Sequence, residues 1–172
     1  IMDNSRIPVL GHADGICSVF LEKSADAELA ARVIVDSKTT YPAACNSVET
    51  LLVEADGLER LLPTVARALL AKGVTLRCDE QSKAVLDTAV DSASSKLITA
   101  SKPEDYDTEH LALILAVKTV SSYDEAVEHI NVHGSHHTDV IITSSEPLAE
   151  RFMNAIDSAG VFWNTSSRMA DG

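Results

Sequence analysis

The chain has 172 residues, enough for one domain with a substantial hydrophobic core. Its net charge of −12 argues against nucleic-acid binding, because that function needs a basic face that neutralises phosphates. We find no apolar run near the roughly 20 residues that span a bilayer, and the first residues lack the apolar region of a signal peptide. Three widely spaced cysteines without a CxxC motif indicate free thiols in a reducing compartment. We therefore expect a cytoplasmic protein without a membrane or nucleic-acid partner.

Strand-like and helix-like patterns alternate through the first half of the chain. The predicted elements, in order, are a strand over Ile16–Leu21, a helix over Ala25–Lys38 capped by Ser24, a strand over Glu49–Val53, a helix from Asp56 through Lys72, a strand over Val74–Cys78 and a helix from Asp79 to about Val90. Residues 91–108 carry many Ser, Lys and acidic groups, which predicts a surface loop.

The alternation continues in the second half. The predicted elements are a strand over Leu111–Val120, a helix from Tyr123 to about Val132 between Ser122 and Gly134, a strand over Asp139–Thr143, a helix over Glu146–Asp157 capped by Ser145 and a strand over Gly160–Trp163. Such alternation indicates an α/β fold with a three-layer, open, largely parallel sheet and helices on both faces. In sheets of this kind a site is expected beyond the carboxyl ends of the strands.

One cysteine stands apart from the other two. Cys45 lies in the segment Tyr41-Pro-Ala-Ala-Cys-Asn46, on a turn between a helix and a strand, whereas Cys17 and Cys78 lie in apolar strand runs and are expected to be core thiols. A thiol on a turn meets a substrate more readily than one inside a helix, and nearby backbone amides favour its thiolate. The pattern suggests a covalent thiol enzyme, although a buried structural cysteine is the commoner role for a single Cys.

Four segments together resemble the gamma-glutamyl phosphate reductase family, also called glutamate-5-semialdehyde dehydrogenase. The reductase half of delta-1-pyrroline-5-carboxylate synthetase looks similar, and both belong to the aldehyde dehydrogenase superfamily. The matching segments follow the family's order and spacing and span nearly the whole chain: residues 7–17, Tyr41–Asn46 with Glu49–Val53, residues 133–139, and residues 161–168 with 171–172.

The resemblance implies an aldehyde dehydrogenase catalytic-domain fold and a specific reaction. Cys45 matches the nucleophile that attacks L-glutamyl 5-phosphate, expels phosphate and holds a thioacyl intermediate. NADPH then reduces that intermediate to L-glutamate 5-semialdehyde, on the route to proline. In a longer parent protein, the resemblance also implies a homo-oligomer and an associated glutamate 5-kinase activity.

The resemblance further implies that residues 1–172 form the thiol-bearing catalytic domain alone. The sequence contains no GxGxxG or P-loop motif, so we expect NADPH to be bound mainly by an N-terminal domain absent from this chain. A C-terminal tail is also expected to be missing. The chain alone is therefore expected to be inactive.

Several polar residues are candidates for the site. By resemblance Glu109 is the acid that accepts the nicotinamide ribose hydroxyls, although an ordinary exposed acid is an equal alternative. The candidates for substrate binding are Asn46, His12, Asn164, Ser166, Ser167 and Arg168. Arg168 suits a carboxylate or phosphate, whereas the alternative is a structural pair with Asp171.

Two other interpretations concern function: a metal site and a non-catalytic role. His133, His136 and His137 have no recognisable ligand spacing, so we expect no metal site. The alternative to an enzyme is a non-catalytic α/β regulatory or assembly module that has kept an aldehyde dehydrogenase-like fold.

Overall fold

The computed structural model describes residues 14–171. Seven parallel strands form one sheet in the order β4-β3-β5-β2-β1-β6-β7. The strands are β1 Cys17–Leu21, β2 Val48–Glu54, β3 Thr75–Cys78, β4 Ile98–Ala100, β5 Ile114–Val120, β6 Thr138–Ile142 and β7 Gly160–Trp163. The helices between them are α1 Ala27–Thr39, α2 Leu58–Leu70, α3 Glu80–Ala89, α4 Tyr123–His133 and α5 Glu146–Ala155.

The helices cover both faces of the sheet, so the three-layer prediction is confirmed. Helices α1, α2 and α3 pack on one face around Leu51, Val53 and Val117, and α4 and α5 pack on the other around Phe20 and Leu52. Every residue of β1, β2 and β6 is buried, as expected for strands with a helix layer on each side. No helix within residues 14–171 has the length and apolar character needed to cross a bilayer.

Most predicted elements are present, but two predicted helix starts are wrong. Asp26, rather than Ser24, caps α1 by accepting a 2.7 Å hydrogen bond from the Leu29 N–H. Asp56 does not cap α2, which follows a short 3-10 turn and begins without a side-chain cap. The Asp56 carboxylate instead accepts a hydrogen bond from Lys23. In both places several polar residues compete for the cap, and the backbone path decides among them.

The stretch from residue 91 to residue 113 also departs from the prediction. It contains the short strand β4, which pairs with β3 at one edge of the sheet, in addition to 3-10 turns. β5 begins at Ile114 instead of Leu111, because Leu111 has a φ of +53° that a strand does not accommodate. A three-residue edge strand with two exposed residues leaves almost no alternation in the sequence, so it was missed.

Candidate active site

The Cys45 loop lies at the amino end of the sheet, immediately before β2. The thiol therefore lies before a strand, as its place in the sequence indicates, and not at the carboxyl ends where a site is expected in such sheets. Two turns shape the loop, with Ala44 N–H donating to Tyr41 O at 3.1 Å and Ser47 N–H donating to Ala44 O at 2.9 Å. Cys45 is half-buried, and Tyr41 beside it is 58% exposed. Within residues 14–171 the backbone N–H groups of Cys45 and Asn46 donate to no acceptor. The loop thus places the thiol beside two backbone N–H groups that have no acceptor within that part of the chain.

The segment before β1 closes tightly on this loop. A Cβ added to Gly15 would lie 2.1 Å from the carbonyl oxygen of Cys45, so only glycine fits there. The Cys17 thiol donates to that same carbonyl at 3.2 Å. Burial, followed by the charge of Asp139, raises the pKa of Cys17 far above its ordinary value, so Cys17 stays a neutral donor. Gly15 and Cys17 together fix the Cys45 backbone.

Asn46 connects the loop to the segment that follows β7. The fully buried side chain of Asn46 donates to Asp171 Oδ1 at 2.9 Å and accepts a hydrogen bond from the Arg168 guanidinium. Arg168 also pairs with Asp171, and its guanidinium carbon lies 6.0 Å from the centre of the Tyr41 ring. These contacts bring Arg168 next to the thiol loop. Within residues 14–171 its guanidinium bonds the side chains of Asn46 and Asp171.

Two serines hold the same segment in place. The Ser167 hydroxyl donates to Asn46 O at 2.6 Å, and the Ser167 N–H donates to the Ser37 hydroxyl at 3.1 Å. The Ser166 hydroxyl lies 3.2 Å from the Ser37 hydroxyl. Both serines are buried, at 4% and 0% exposed for Ser166 and Ser167. In this structure they position the loop from beneath, and their predicted role in binding substrate stays a prediction.

A buried ion pair lies under the loop and was not singled out from the sequence. Lys38, at the end of α1, contacts Glu49 of β2 at 2.8 Å, and both side chains are fully buried. Burial raises the pKa of Glu49 to about 7, opposed by Lys38 and by a backbone hydrogen bond from His110. Burial also lowers the pKa of Lys38, opposed by Glu49. The sequence signal was a lysine four residues after Ile34, on the buried face of α1.

Glu109 lies within electrostatic reach of this pair, since its charge raises the pKa of both Lys38 and Glu49. It is half-buried and forms no ion pair with any residue from 14 to 171. The structure therefore places Glu109 at the same end of the sheet as Cys45. A half-buried carboxylate without an ion-pair partner in that part of the chain is able to accept hydrogen bonds from hydroxyl groups.

Asn164 does not join this cluster. Asn164 has a φ of +54°, and its side chain bonds the backbone N–H and C=O of Thr143 at 3.0 Å each, at the carboxyl end of β6. Its side chain thus fastens β7 to β6. His12 lies outside the described residues. Among residues 14–171, we find no group of three His, Cys, Asp or Glu side chains arranged to hold a metal ion.

The geometry can now be set beside known proteins. Over all 172 residues, the chain is 52% identical to a probable gamma-glutamyl phosphate reductase of Schizosaccharomyces pombe. It is 51% identical, over 174 aligned residues, to the gamma-glutamyl phosphate reductase of Parasynechococcus marenigrum. The chain is homologous to a segment of the gamma-glutamyl phosphate reductases. It spans 38% and 37% of the lengths of these two relatives. No protein-family profile matches the chain.

Solved structures agree with the sequence comparison. The crystal structure of gamma-glutamyl phosphate reductase from Thermotoga maritima matches 99% of the chain with a TM-score of 0.91 and 34% identity, over 39% of its own length. The Saccharomyces cerevisiae enzyme matches 99% of the chain with a TM-score of 0.75 and 37% identity, over 41% of its length. A propionaldehyde dehydrogenase from Clostridium phytofermentans, at 16% identity and a TM-score of 0.71, shares the fold. The predicted resemblance to an aldehyde dehydrogenase-like fold is thus confirmed.

Proposed function

We propose that this chain supplies the thiol-bearing catalytic domain of a gamma-glutamyl phosphate reductase, an NADPH-dependent oxidoreductase of proline biosynthesis. The observation that carries the proposal is the half-buried Cys45, on a loop whose adjacent N–H groups donate to no acceptor within residues 14–171. Homology to reductases across the whole chain supports the same reaction. The substrate would be L-glutamyl 5-phosphate and the products L-glutamate 5-semialdehyde and phosphate.

The acylation step uses groups that the loop presents. The Cys45 thiolate attacks the carbonyl carbon of the acyl phosphate, a carbon–sulfur bond forms, and the bond to the phosphate oxygen breaks as phosphate leaves. The N–H groups of Cys45 and Asn46 are suited to stabilise the oxyanion that develops on the carbonyl oxygen. An acyl phosphate is already activated, so positioning and oxyanion stabilisation are the main tasks of the protein in this step.

The second half of the reaction needs a reduced nicotinamide. When bound, NADPH supplies the hydride that converts the thioester into the aldehyde and the free thiol. Glu109 fits this group, because its half-buried carboxylate lies at the Cys45 end of the sheet, has no ion-pair partner within residues 14–171 and suits the ribose hydroxyls. The chain contains no glycine-rich phosphate motif, so we assign most of the cofactor surface to an N-terminal domain outside residues 1–172.

Substrate anchoring is assigned to the Arg168 segment and His12. Arg168 would bind the carboxylate or phosphate of the substrate from its position over Tyr41, with Asn46, Ser166 and Ser167 holding it there. Homo-oligomerisation, a C-terminal tail and an associated kinase activity belong to this proposal as properties of a longer protein. A non-catalytic module is not favoured, because such a module has no need for a thiol on a closely supported loop.

A chimera tests the proposal directly. Residues 1–172 would replace the homologous segment of the Parasynechococcus marenigrum reductase, to which they are 51% identical. The chimera should reduce L-glutamyl 5-phosphate with NADPH, and the same chimera carrying Cys45→Ser should form no thioester and have no reductase activity. A folded chimera with no activity, or a Cys45→Ser chimera with activity within about tenfold of its parent, would reject the proposal.

Thiol alkylation tests the chain by itself. Iodoacetamide at neutral pH should label Cys45 fast and Cys17 and Cys78 slowly, because burial keeps both of the latter protonated. For Cys78, burial raises the pKa to about 12. Labelling of Cys45 at the same slow rate as the two core thiols would favour the non-catalytic module.

A further inference from the structure

A cavity of about 860 Å³ opens at the other end of the sheet, beyond the carboxyl ends of β3 and β4. Its walls come from α3, from α4 and from the segment after β4, and it shares no lining residue with the Cys45 cluster. The volume falls within the range of small-molecule sites, and apolar atoms make up most of its exposed lining. In parallel sheets this end is the usual place for a ligand.

Lys118 provides a positive charge on the wall of this cavity. Its ammonium group lies 3.3 Å from His129 Nδ1 and 5.8 Å from the centre of the Tyr106 ring. No carboxylate between residues 14 and 171 forms an ion pair with Lys118. Glu125 is near enough for Lys118 to act on its pKa, but its carboxylate is bound by the Ser121 N–H and hydroxyl at 2.7 Å each. Lys118 therefore has a charge that no local acid neutralises by direct contact.

His129 keeps Lys118 turned toward the cavity. It is 5% exposed, and its ring packs edge-on against Tyr106. Burial lowers the pKa of His129 to about 3, with Lys118 and His133 adding to the effect, so the imidazole is neutral. A neutral ring accepts a hydrogen bond from the ammonium group through Nδ1 without cancelling its charge. The arrangement positions a cation and leaves it available.

The other charged groups of the lining are partly paired with one another. Lys83 bonds Asp87 on α3 at 2.7 Å, and His133 bonds Asp107 at 2.6 Å. Lys102, at the rim, forms no ion pair with any described residue.

The lining also includes Asp79 and Glu80. The Asp79 carboxylate already accepts hydrogen bonds from Ser82 N–H at 2.8 Å and Thr119 N–H at 2.7 Å, and Glu80 lies in the first, exposed turn of α3. In a chain with a net charge of −12, two lysines at one cavity without acid partners among residues 14–171 point to an anionic ligand.

We propose that this cavity binds a small organic carboxylate. Its carboxylate would contact Lys118 and Lys102, and its apolar or aromatic body would pack against the Tyr106 ring and the apolar lining of the cavity. The site is separate from the thiol, and binding there does not depend on the proposed reductase activity.

Benzoate is a suitable probe, because it joins a carboxylate to a flat apolar ring. We would titrate the isotope-labelled 172-residue chain with benzoate and follow backbone amide shifts by NMR. Saturable shifts are expected in residues 101–107 and in α4, with none at the Cys45 loop. Lys118→Met keeps the apolar stem and should weaken benzoate binding about tenfold, whereas Lys72→Met, on an exposed lysine in the turn after α2, should leave it unchanged.

A second variant and a second ligand test the same proposal independently of Lys118→Met. Lys102→Met alters an exposed rim residue, so it should retain the fold and still weaken benzoate binding several-fold. Inorganic phosphate, titrated in parallel, should bind more weakly because it lacks the apolar body. The proposal fails if benzoate produces no saturable shifts at this cavity, or if neither lysine variant changes its affinity. It also fails if phosphate binds in a Lys118-dependent way and benzoate does not.

Discussion

Replacing Glu49 with Gln should destabilise the protein strongly, because it leaves the Lys38 ammonium buried without a counter-charge. Both side chains are fully buried, so water does not replace the lost partner. A lysine with an ordinary pKa of 10.5 costs about 5 kcal/mol to neutralise at pH 7, at about 1.4 kcal/mol per pH unit. That value is the upper limit of the penalty, since Lys38 is able to lose its proton instead of staying charged. Breaking a buried pair typically costs about 3–5 kcal/mol, in agreement with this limit.

The pH dependence of the penalty gives a second, independent signature. In the Glu49→Gln variant burial lowers the pKa of Lys38 without the opposing charge of Glu49, so we expect the folded state to hold Lys38 neutral. The unfolded state holds it charged up to its ordinary pKa of 10.5. The penalty should therefore shrink by about 3 kcal/mol between pH 7 and pH 9. Urea unfolding followed by far-ultraviolet circular dichroism at both pH values measures the free energy of unfolding directly.

Two control variants test whether the loss of stability comes from the unpaired buried charge. The double variant Lys38→Met with Glu49→Leu should recover a stability close to the parent or above it, because neither charge of this pair remains. Lys83→Ala, which removes an exposed pair with Asp87 on α3, should cost about 0.5 kcal/mol or less. A Glu49→Gln variant within about 1 kcal/mol of the parent, or one whose penalty does not fall by pH 9, would refute the argument.

Three further variants test other parts of the structure. Burial raises the pKa of Asp139 to about 6 from an ordinary 3.8, so its contribution to stability is present below pH 3.8 and is lost as pH rises through 6. Asp139→Asn should therefore reduce the fall in the free energy of unfolding between pH 4 and 6 by up to about 3 kcal/mol. Urea titrations in which the free energy of unfolding of both proteins depends on pH to the same extent would contradict this. Gly15→Ala would force the Cys45 carbonyl to move and should cost about 1–3 kcal/mol, so an unchanged Tm would show that the contact is loose. Arg168→Lys in the chimera should raise KM several-fold with a small change in Tm, because a planar fork is lost while the charge remains; a large fall in Tm at unchanged KM would make Arg168 structural.

Hydrophobic periodicity was sufficient to predict most of the fold from the sequence, because most elements bury a clear apolar face or are apolar throughout. α2 carries seven buried residues along one stripe, and β2 is buried along its whole length, so both were recognisable from residue type alone. β4 was not recognisable, since it contributes one buried residue and pairs with a single neighbour. Its position is decided by tertiary pairing with β3.

Cys45 was recognisable from the sequence as the candidate nucleophile, whereas most of the contacts that support it were not. Cys45 stood out by its place on a turn and by the family resemblance. The Lys38–Glu49 pair joins residues of a helix and a strand, and sequence spacing does not report such a contact. Asn164 was predicted to bind substrate because it is a polar residue after a strand. In the structure its side chain bonds the Thr143 backbone, and the binding role stays a prediction.

The strand order has a consequence for how the chain acquires its structure during synthesis. β1 pairs with β2 nearby in sequence, but its other neighbour, β6, follows it by about 120 residues, and Asn46 bonds Asp171 across 125 positions. Contacts of such long separation form slowly, because the intervening chain must first be ordered. A ribosome-bound chain that stops short of residue 171 has β1 and β2 available but cannot complete the Asn46 contacts. The Cys45 loop therefore reaches its final geometry late, after the sheet that carries it.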